Sequence, residues 1–475
     1  MKAKAVSFIK LFFVFKRVSK KKTVRVLALN EILQVIPLVV ILLMAMGLRG
    51  KRAQVQIAGF TGALLAIIFG WLFLNKPLTI PKITSVFVGG ITGILGIASV
   101  IIYASTAMFV ATAGGTRAFV ELIQRIFKKR IEIVVGLMVF TQAAAVYMAG
   151  CGAANTLITA PLIYSTVGWI PGVVAGLSIV SPTSWTTSPS SAESAVTAKI
   201  AGIEVPVYAE MMRPFTFFMW AVGIAIAIYS TRRAVQRGLI KPGAMEAQAS
   251  PSAQQNPGQE ASAAVGEKSL SMMVVRAFPF IFFLIMIVLG PAINQITGQT
   301  IFTIVSTPFL VVIVTALCLK VHPNKIGEWL IEGGRTILWY LFYAGFFLGF
   351  INVIAEIGTF TTLANLVRTV PVQVVVVAAI IIGFAVGVPA GAYTVMVMSL
   401  ILPVLKEAGI PIWAFGFVNY GIAYGAMISP VQINVAATAH GFRTEIPKVI
   451  KNNAPYMPIA LVIAIALSII AGGMR

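Results

Sequence analysis

The chain has 475 residues, of which 59% are hydrophobic and only 11% are charged, and its mean hydropathy is +0.95. Soluble domains are about 45–50% apolar and about 25% charged, so this composition excludes a soluble enzyme and a disordered chain and predicts a multi-pass membrane protein. The net charge is +22 and the chain contains no Asp. Because the basic residues stand between apolar segments, we attribute this charge to loops facing anionic lipid and expect no nucleic-acid partner.

Residues 1–27 are basic and contain one short apolar run, which Lys10 interrupts. The run is too short to cross a bilayer, and no small-residue cleavage site follows it, so a secretory signal is not indicated. We expect this segment to be a basic arm lying at the membrane interface.

Eight stretches are apolar and long enough to cross a bilayer, which takes about 20 residues. They are 28–48, 53–74, 84–111, 210–230, 274–297, 300–319, 333–356 and 452–473. Two further apolar regions, 131–203 and 371–441, are repeatedly interrupted by Gly, Pro, Ser and Thr. Residues 231–273 are rich in Pro, Ser, Gln and Ala and predict a flexible cytoplasmic linker that separates 28–230 from 274–475.

The two halves align at a single offset of 241 positions, for example 391 − 150 = 241. The anchors are Phe119 with Phe360, Gly150 with Gly391, and Pro189 with Pro430. Each half then has three crossings, an amphipathic arm (116–130 or 359–370), a re-entrant hairpin broken at Gly150–Asn155 or Gly387–Gly391, an interrupted crossing and a final crossing. Five crossings per half would insert the second half upside down. We therefore predict an all-α polytopic membrane protein with two inverted-topology repeats.

Basic residues favour an orientation in which the linker is cytoplasmic, because most of the other basic residues then lie on the same side. The nine basic residues of the N-terminal arm would lie outside in that orientation. The side of the N-terminus is therefore left open.

Both interrupted crossings contain Ser-Pro pairs, in "VSPTSWTTSPSSAESAV" and "ISPVQINVAATAHG". Lipid cannot pair with the backbone groups that Pro182 and Pro189 free, so such segments survive only beside protein or a water-filled cavity. Unwinding exposes helix N-termini, which suit a carboxylate, and C-terminal carbonyl groups, which suit Na⁺. We expect hairpin tips near Asn155-Thr156 and Tyr393-Thr394 to approach the same place.

These considerations give a set of candidate residues, with no catalytic residue, metal site or cofactor expected. The predicted substrate-binding residues are Asn155, Thr156, Ser188, Ser190, Ser191, Tyr393, Thr394, Ser429, Gln432 and Asn434. The predicted ion-coupling residues are Glu193, Thr187 and Asn155. For Asn155, Gln432 and Asn434, a helix–helix hydrogen bond is an equally good interpretation.

Glu193 is the most informative single residue. A carboxylate in an interrupted intramembrane helix is costly, and it indicates cation coordination or proton carriage. The alternatives are that Lys199 neutralises it or that it lies in a loop. Lys199 either faces an anionic substrate or extends to the membrane interface, and Glu356 is expected at the interface.

At these residues the sequence resembles the anaerobic C4-dicarboxylate carrier family, within the broader ion-transporter superfamily. The motifs are "SPTSWTTSPSSAESAVTAKIAGIEVPVYA" and "GAMISPVQINVAATAHGF". Matching residues are Pro189, Ser190, Ser191, Ala192 and Glu193 in the first motif and Ser429, Pro430 and Val431 in the second. The resemblance implies a carrier of small organic anions in the cytoplasmic membrane, coupled to Na⁺ or H⁺. It also implies a scaffold domain, a moving (elevator-type) transport domain and a homodimer.

The sequence departs from that family at the second hairpin tip, which reads "GVPAGAY", and by lacking a basic residue just before Ser429. Without an Arg to bind a second carboxylate, a monocarboxylate or another small polar metabolite is the alternative substrate. An intramembrane serine hydrolase is less favoured, because there is no Asp and His440 only borders an interrupted segment. A passive channel is the remaining class.

Overall fold

The structure is a computed structural model that describes residues 29–46, 55–95, 98–127, 130–239, 269–299, 301–303, 305–368 and 370–473. The predicted N-terminal arm, 1–27, and residues 240–268 of the predicted linker lie outside this part of the chain. Within it, the structure contains α-helices and no β-strand, so the predicted all-α class is confirmed.

Helices of the first half run from Leu29 to Gln236. They are α1 (Leu29–Met46), α2 (Val55–Leu72), α3 (Ile80–Leu95), α4 (Ala98–Thr112), α5 (Gly115–Ile126), α6 (Ile131–Ala149), α7 (Gly152–Val167), α8 (Pro171–Trp185), α9 (Ala192–Ala201) and α10 (Val205–Gln236). The predicted crossing at 84–111 falls on α3 and α4, which lie on either side of residues 96–97, outside the described part of the chain. Helix α10 extends into the stretch predicted as linker.

Helices of the second half run from Leu270 to Gly473. They are α11 (Leu270–Thr297), α12 (Ser306–Leu319), α13 (Pro323–Glu356), α14 (Thr359–Val367), α15 (Val372–Ala390), α16 (Thr394–Glu407), α17 (Ile412–Ala426), α18 (Ile433–Gly441) and α19 (Ile446–Gly473). The two predicted amphipathic arms are helices α5 and α14.

Six described helices, α6, α10, α11, α13, α15 and α19, contain a stretch long and apolar enough to cross a bilayer. Helices α4 and α5 pass the same test only as a pair, bent by 54°. Helices α1, α2 and α12 are apolar but shorter. By length and composition the protein is a multi-pass membrane protein with six or seven candidate spans in the described residues.

The helices pack as two groups. Helix α13 packs on α2, α3 and α4, and we call α1–α4 with α11–α13 the scaffold. Helices α6–α10 and α15–α19 form the second group, which we call the core unit. It meets the scaffold where α6 contacts α4 and where α9 and α16 contact α13. Small residues permit the closest scaffold crossing: a Cβ on Gly90 would lie 2.6 Å from the Cα of Gly349.

Equivalent helices of the two halves form equivalent pairs. Helix α6 packs on α8 as α15 packs on α17, and α8 packs on α10 as α17 packs on α19. Between the halves, α7 packs on α18 as α16 packs on α9. This reciprocity supports the predicted repeat, whose inverted orientation in the membrane stays a prediction.

Both predicted helix interruptions are present. We call Thr186–Ser191, between α8 and α9, break 1, and Met427–Gln432, between α17 and α18, break 2. Pro182 does not cause break 1, contrary to expectation, because it lies inside α8. The helix continues past it, with the Thr186 amide donating to the Pro182 carbonyl oxygen at 3.2 Å.

Candidate binding site

Two hairpins reach the breaks, and each turns at a glycine. Hairpin 1 consists of α6 and α7 and turns at Gly150, whose φ of +68° favours glycine. A Cβ on Gly150 would also lie 2.7 Å from the Ser191 amide nitrogen. Hairpin 2 consists of α15 and α16 and turns at Gly391, where a Cβ would lie 2.7 Å from Ser429 Oγ. Each glycine therefore provides both a turn and a close approach to the break of its own half.

The first hairpin turns at Gly150 and Cys151, within the predicted interruption at Gly150–Asn155 and about one helical turn before the tip predicted near Asn155-Thr156. Gly150 ends α6, and Asn155 and Thr156 already lie within α7. Asn155 does not interrupt the helix because its Nδ2 donates to the Cys151 carbonyl oxygen, one turn earlier, at 2.8 Å. The second tip, at Gly391–Tyr393, is close to its predicted place.

Break 1 is fully buried, and its own hydroxyl groups pair with part of its backbone. Ser191 caps α9 by accepting from the Ser194 amide at 3.1 Å. Ser188 Oγ donates to the Tyr147 carbonyl oxygen at 2.5 Å and accepts from the Ser190 amide at 2.9 Å. These bonds tie break 1 to the end of α6, which is how an unwound segment persists away from water.

Break 2 uses an amide side chain as its cap. Gln432 Oε1 accepts from the Asn434 amide at 3.4 Å, and Gln432 Nε2 donates to the Gly391 carbonyl oxygen at 3.3 Å. Gln432 therefore connects the N-terminus of α18 to the tip of hairpin 2.

A cavity of about 110 Å³ lies between the two hairpin tips, the two breaks and the scaffold helix α13. Four helices begin in its wall, contributing Gly152 of α7, Glu193 of α9, Thr394 of α16 and Asn434 of α18. Each helix N-terminus carries about half a positive charge and N–H groups without helical partners. Four such ends around one space favour an anion there, and the Glu193 carboxylate in the same wall opposes it.

The remaining wall is aromatic and apolar. Trp185 closes one side, and α13 contributes Ile337, Tyr343 and Phe347. The rings of Tyr343 and Tyr393 stack with centroids 6.3 Å apart and planes 21° apart, which joins the scaffold to the tip of hairpin 2. No Lys or Arg lines the cavity in the described part of the chain. The site thus combines polar helix ends with a surface suited to a short hydrocarbon.

Glu193 and Asn434 occupy equivalent positions, because each is the second residue of its helix and 434 − 193 = 241. Thr394 Oγ1 donates to Glu193 Oε1 at 3.0 Å, and Thr156 Oγ1 donates to Asn434 Oδ1 at 2.8 Å. Each bond joins the hairpin of one half to the interrupted helix of the other. Glu193 is half-buried, whereas Asn434 is buried.

Five of the predicted site residues line this cavity. They are Glu193, Tyr393, Thr394, Gln432 and Asn434. The others are buried behind its wall: Asn155, Thr156, Thr187, Ser188, Ser190, Ser191 and Ser429. Thr187 faces Thr216, with their hydroxyl oxygens 2.9 Å apart. The roles assigned to all these residues stay predictions.

Two further charged residues considered in the sequence, Lys199 and Glu356, can be placed in the structure. Lys199 is exposed and extends along α3, where a Cβ on Gly93 would lie 2.7 Å from its Cε. It forms no ion pair with Glu193 in the described structure. Glu356 pairs with Lys82 at 3.2 Å in a partly exposed position, as expected for an interfacial residue.

Sequence reasoning missed several residues of the cavity wall. Tyr343 and Phe347 lie in α13, which has the composition of an ordinary apolar crossing and contains no signal for a site. Trp185 stands inside the first Ser-Pro motif, and Cys151 follows the turning glycine of hairpin 1. For Trp185 the Ser-Pro motif around it, and for Cys151 the turning glycine before it, were the sequence features that could have indicated a place in the site.

In the described residues, the chain is helical and multi-pass, and its two hairpins and two interrupted helices surround the cavity. No protein-family model and no curated protein matches the chain. Among solved structures, it is similar to the YdaH transporter of Alcanivorax borkumensis, whose crystal structure is described as revealing an unusual topology. The TM-score is 0.58 at 16% identity, and the match covers 87% of this chain and 97% of that one. At this identity the likeness establishes a shared fold.

Proposed function

We propose that the protein is a secondary active transporter that moves a small organic anion, a C4-dicarboxylate or a related carboxylate, across the cytoplasmic membrane. We further propose that movement is coupled to Na⁺ or H⁺. The observation that supports this function most strongly is the cavity itself, in which four helices begin and one carboxylate, Glu193, is present.

The helix ends favour a carboxylate ligand. Unpaired N–H groups and the positive end of the helix dipole stabilise an anion without any basic side chain. The side chains of Thr394, Gln432 and Asn434 add hydroxyl and amide groups at the same wall. An anion held there would make many weak, directional contacts that can be broken at each transport cycle.

Glu193 provides the reason for cation coupling. An anionic substrate in the same cavity would be repelled by an ionised Glu193, by about 4 kcal/mol for unit charges about 4 Å apart at an effective dielectric constant of 20. A proton or Na⁺ at Glu193 removes this repulsion. Substrate and cation would therefore favour each other's binding, and by linkage the effect is reciprocal.

The position of the cavity fits alternating access. The core unit supplies the hairpins and breaks, whereas the scaffold supplies Tyr343 and Phe347. We propose that the core unit moves relative to the scaffold in an elevator-type cycle, within a homodimer, so that this shared wall separates and the cavity changes sides.

The apolar wall supports a second candidate substrate. Trp185 and Phe347 line the cavity, and among the described residues no Lys or Arg does. A monocarboxylate with a short hydrocarbon chain therefore fits the same site. A monocarboxylate needs one set of helix ends and leaves no second charge without a partner.

A thermal-stability screen of the purified protein tests the proposal. Mono-, di- and tricarboxylates are compared with uncharged amides of the same size, with Na⁺ or choline, at several pH values. A ligand at 100 times its Kd stabilises the folded state by about 2.7 kcal/mol, so we expect a carboxylate to raise the melting temperature in a cation-dependent way. Stabilisation by no carboxylate, or by the amides equally, would contradict the proposed function.

A further inference from the structure

The two hydrogen bonds between the halves, Thr156 to Asn434 and Thr394 to Glu193, are equivalent in position but differ in their surroundings. On the hairpin 1 side, Gln142 is completely buried and acts as a hub. Its Nε2 donates to Thr156 Oγ1 at 2.7 Å and to Ser181 Oγ at 3.0 Å, and its Oε1 accepts from Thr159. Gln142 therefore ties α6, α7 and α8 together directly behind the Thr156–Asn434 bond.

Within the described residues, hairpin 2 has no equivalent hub. The position equivalent to Gln142 is Gly383 (383 − 142 = 241), which packs against Ile422 of α17. The tip of hairpin 2 is held by the Thr394 bond to Glu193, the Gln432 bond to Gly391 and the stacking of Tyr393 on Tyr343. Hairpin 1 is thus anchored by a buried side-chain network, whereas the hydrogen bonds that hairpin 2 makes to α9 and break 2 lie at its tip.

The strength of the hairpin 2 contact also depends on charge. A hydrogen bond to an ionised carboxylate is roughly twice as strong as one between neutral groups. The other titratable side chains near Glu193 are Cys151, Tyr208, Tyr343 and Tyr393, and none of them is a carboxylate. Lys199, on the same helix as Glu193, is exposed and lies against α3.

Taking the proposed transport function as given, we propose that Glu193 and Thr394 form the site at which the coupling cation acts, and that hairpin 2 is the gate it controls. With Glu193 ionised and free of cation, Thr394 holds hairpin 2 closed over the cavity. A proton or Na⁺ at the carboxylate weakens that bond and releases the hairpin, so the cation precedes the anion. Hairpin 1 stays fixed through Gln142 and Asn434.

Cys151 is a native reporter of this gate, because it is half-buried and lines the cavity. The other cysteine, Cys318, is replaced in a Cys318→Ser background. The full-length purified protein is then labelled with a small water-soluble methanethiosulfonate reagent, and the rate is measured with Na⁺ or choline. We expect slow labelling of the parent in choline and faster labelling in Na⁺ or at lower pH after correction for thiolate formation.

Two matched variants separate the gate from general loosening. Thr394→Val removes the hydroxyl at hairpin 2 and is expected to raise the labelling rate in choline by about tenfold or more, the effect of losing a hydrogen bond to a charged group. Thr394→Ser keeps a hydroxyl and is expected to restore slow labelling. Thr156→Val removes the equivalent hydroxyl at hairpin 1, and it is expected to lower the melting temperature while leaving the labelling rate near that of the parent.

Glu193→Gln tests the role of charge, because glutamine still accepts from Thr394 but is always neutral. We expect fast labelling that Na⁺ does not change. The ratio of parent to Thr394→Val rates at each pH compares two proteins that both contain Glu193, so a pH-dependent ratio without Na⁺ identifies a proton and a Na⁺-dependent ratio at fixed pH identifies Na⁺. A ratio that neither condition changes would overturn the cation site.

Equal labelling of the parent and Thr394→Val, or an equal increase in Thr156→Val, would overturn the gate. These outcomes are distinguishable from failure of the transport function, since labelling requires no substrate. If Thr394→Val opens the cavity but no carboxylate binds, the proposed substrate class fails and the gate stands. If driven uptake is normal but labelling is unchanged, the gate fails alone.

Discussion

The hydroxyl groups of Thr183 and Tyr424 lie 2.7 Å apart, and the two residues are separated by 241 positions. That separation is the offset that aligns the two halves, so the two residues occupy equivalent positions in α8 and α17. When two similar units pack around a two-fold axis, equivalent residues contact each other at the axis. The contact therefore supports a two-fold relationship between the halves, with its axis passing between the two interrupted helices.

Replacement of Gly150 by alanine should destabilise the protein far more than replacement of Gly168. Both glycines have a φ of +68°, but a Cβ on Gly150 would meet the backbone of break 1, whereas a Cβ on Gly168 would meet nothing within 4 Å. Gly168→Ala carries backbone strain alone, about 1–2 kcal/mol, and Gly150→Ala adds overpacking of about 1–3 kcal/mol. Melting temperatures of the purified variants test this, and equal decreases would show that break 1 is not packed against hairpin 1.

Gln142→Met should lower stability by about 2 kcal/mol, because it leaves buried hydroxyl groups of Thr156, Ser181 and Thr159 without their shared partner. Gln124→Met is the control, since Gln124 is only half-buried and donates to Thr166 alone at 3.2 Å. Thermal unfolding of the two variants is compared with the parent. An equally large decrease for Gln124→Met would show that the shared hydrogen bonds of Gln142 do not stabilise the protein specifically.

Lys199→Gln should leave both stability and cation-dependent ligand binding unchanged. The Lys199 side chain is exposed, and surface substitutions of this kind are worth about 0.5 kcal/mol or less. The stability screen with Na⁺ and choline provides the measurement. If Lys199→Gln altered the cation dependence as Glu193→Gln is expected to do, Lys199 would be the neutralising partner of Glu193 after all.

The interruptions were predictable from sequence because proline and clustered hydroxyl residues are costly inside lipid. The place of Glu193 in a candidate site was predictable for the same reason, because an ionisable side chain in an apolar membrane segment is costly and usually functional. Local pattern misplaced details that depend on hydrogen bonding: Pro182 is accommodated within α8, and Asn155 lies inside α7, one turn beyond the hairpin tip at Gly150. Tyr343 reaches the cavity only through the packing of the scaffold on the core unit, which no local pattern in α13 encodes.

Gradient-driven uptake into proteoliposomes tests the central claim most directly. A radiolabelled carboxylate selected by the stability screen is offered to vesicles under an imposed Na⁺ or proton gradient, with the parent, Glu193→Gln and Glu356→Gln. Glu356 is the matched carboxylate, paired with Lys82 and distant from the cavity wall. At equal protein content, we expect accumulation by the parent and by Glu356→Gln and none by Glu193→Gln. Normal accumulation by Glu193→Gln would contradict the proposed coupling through Glu193.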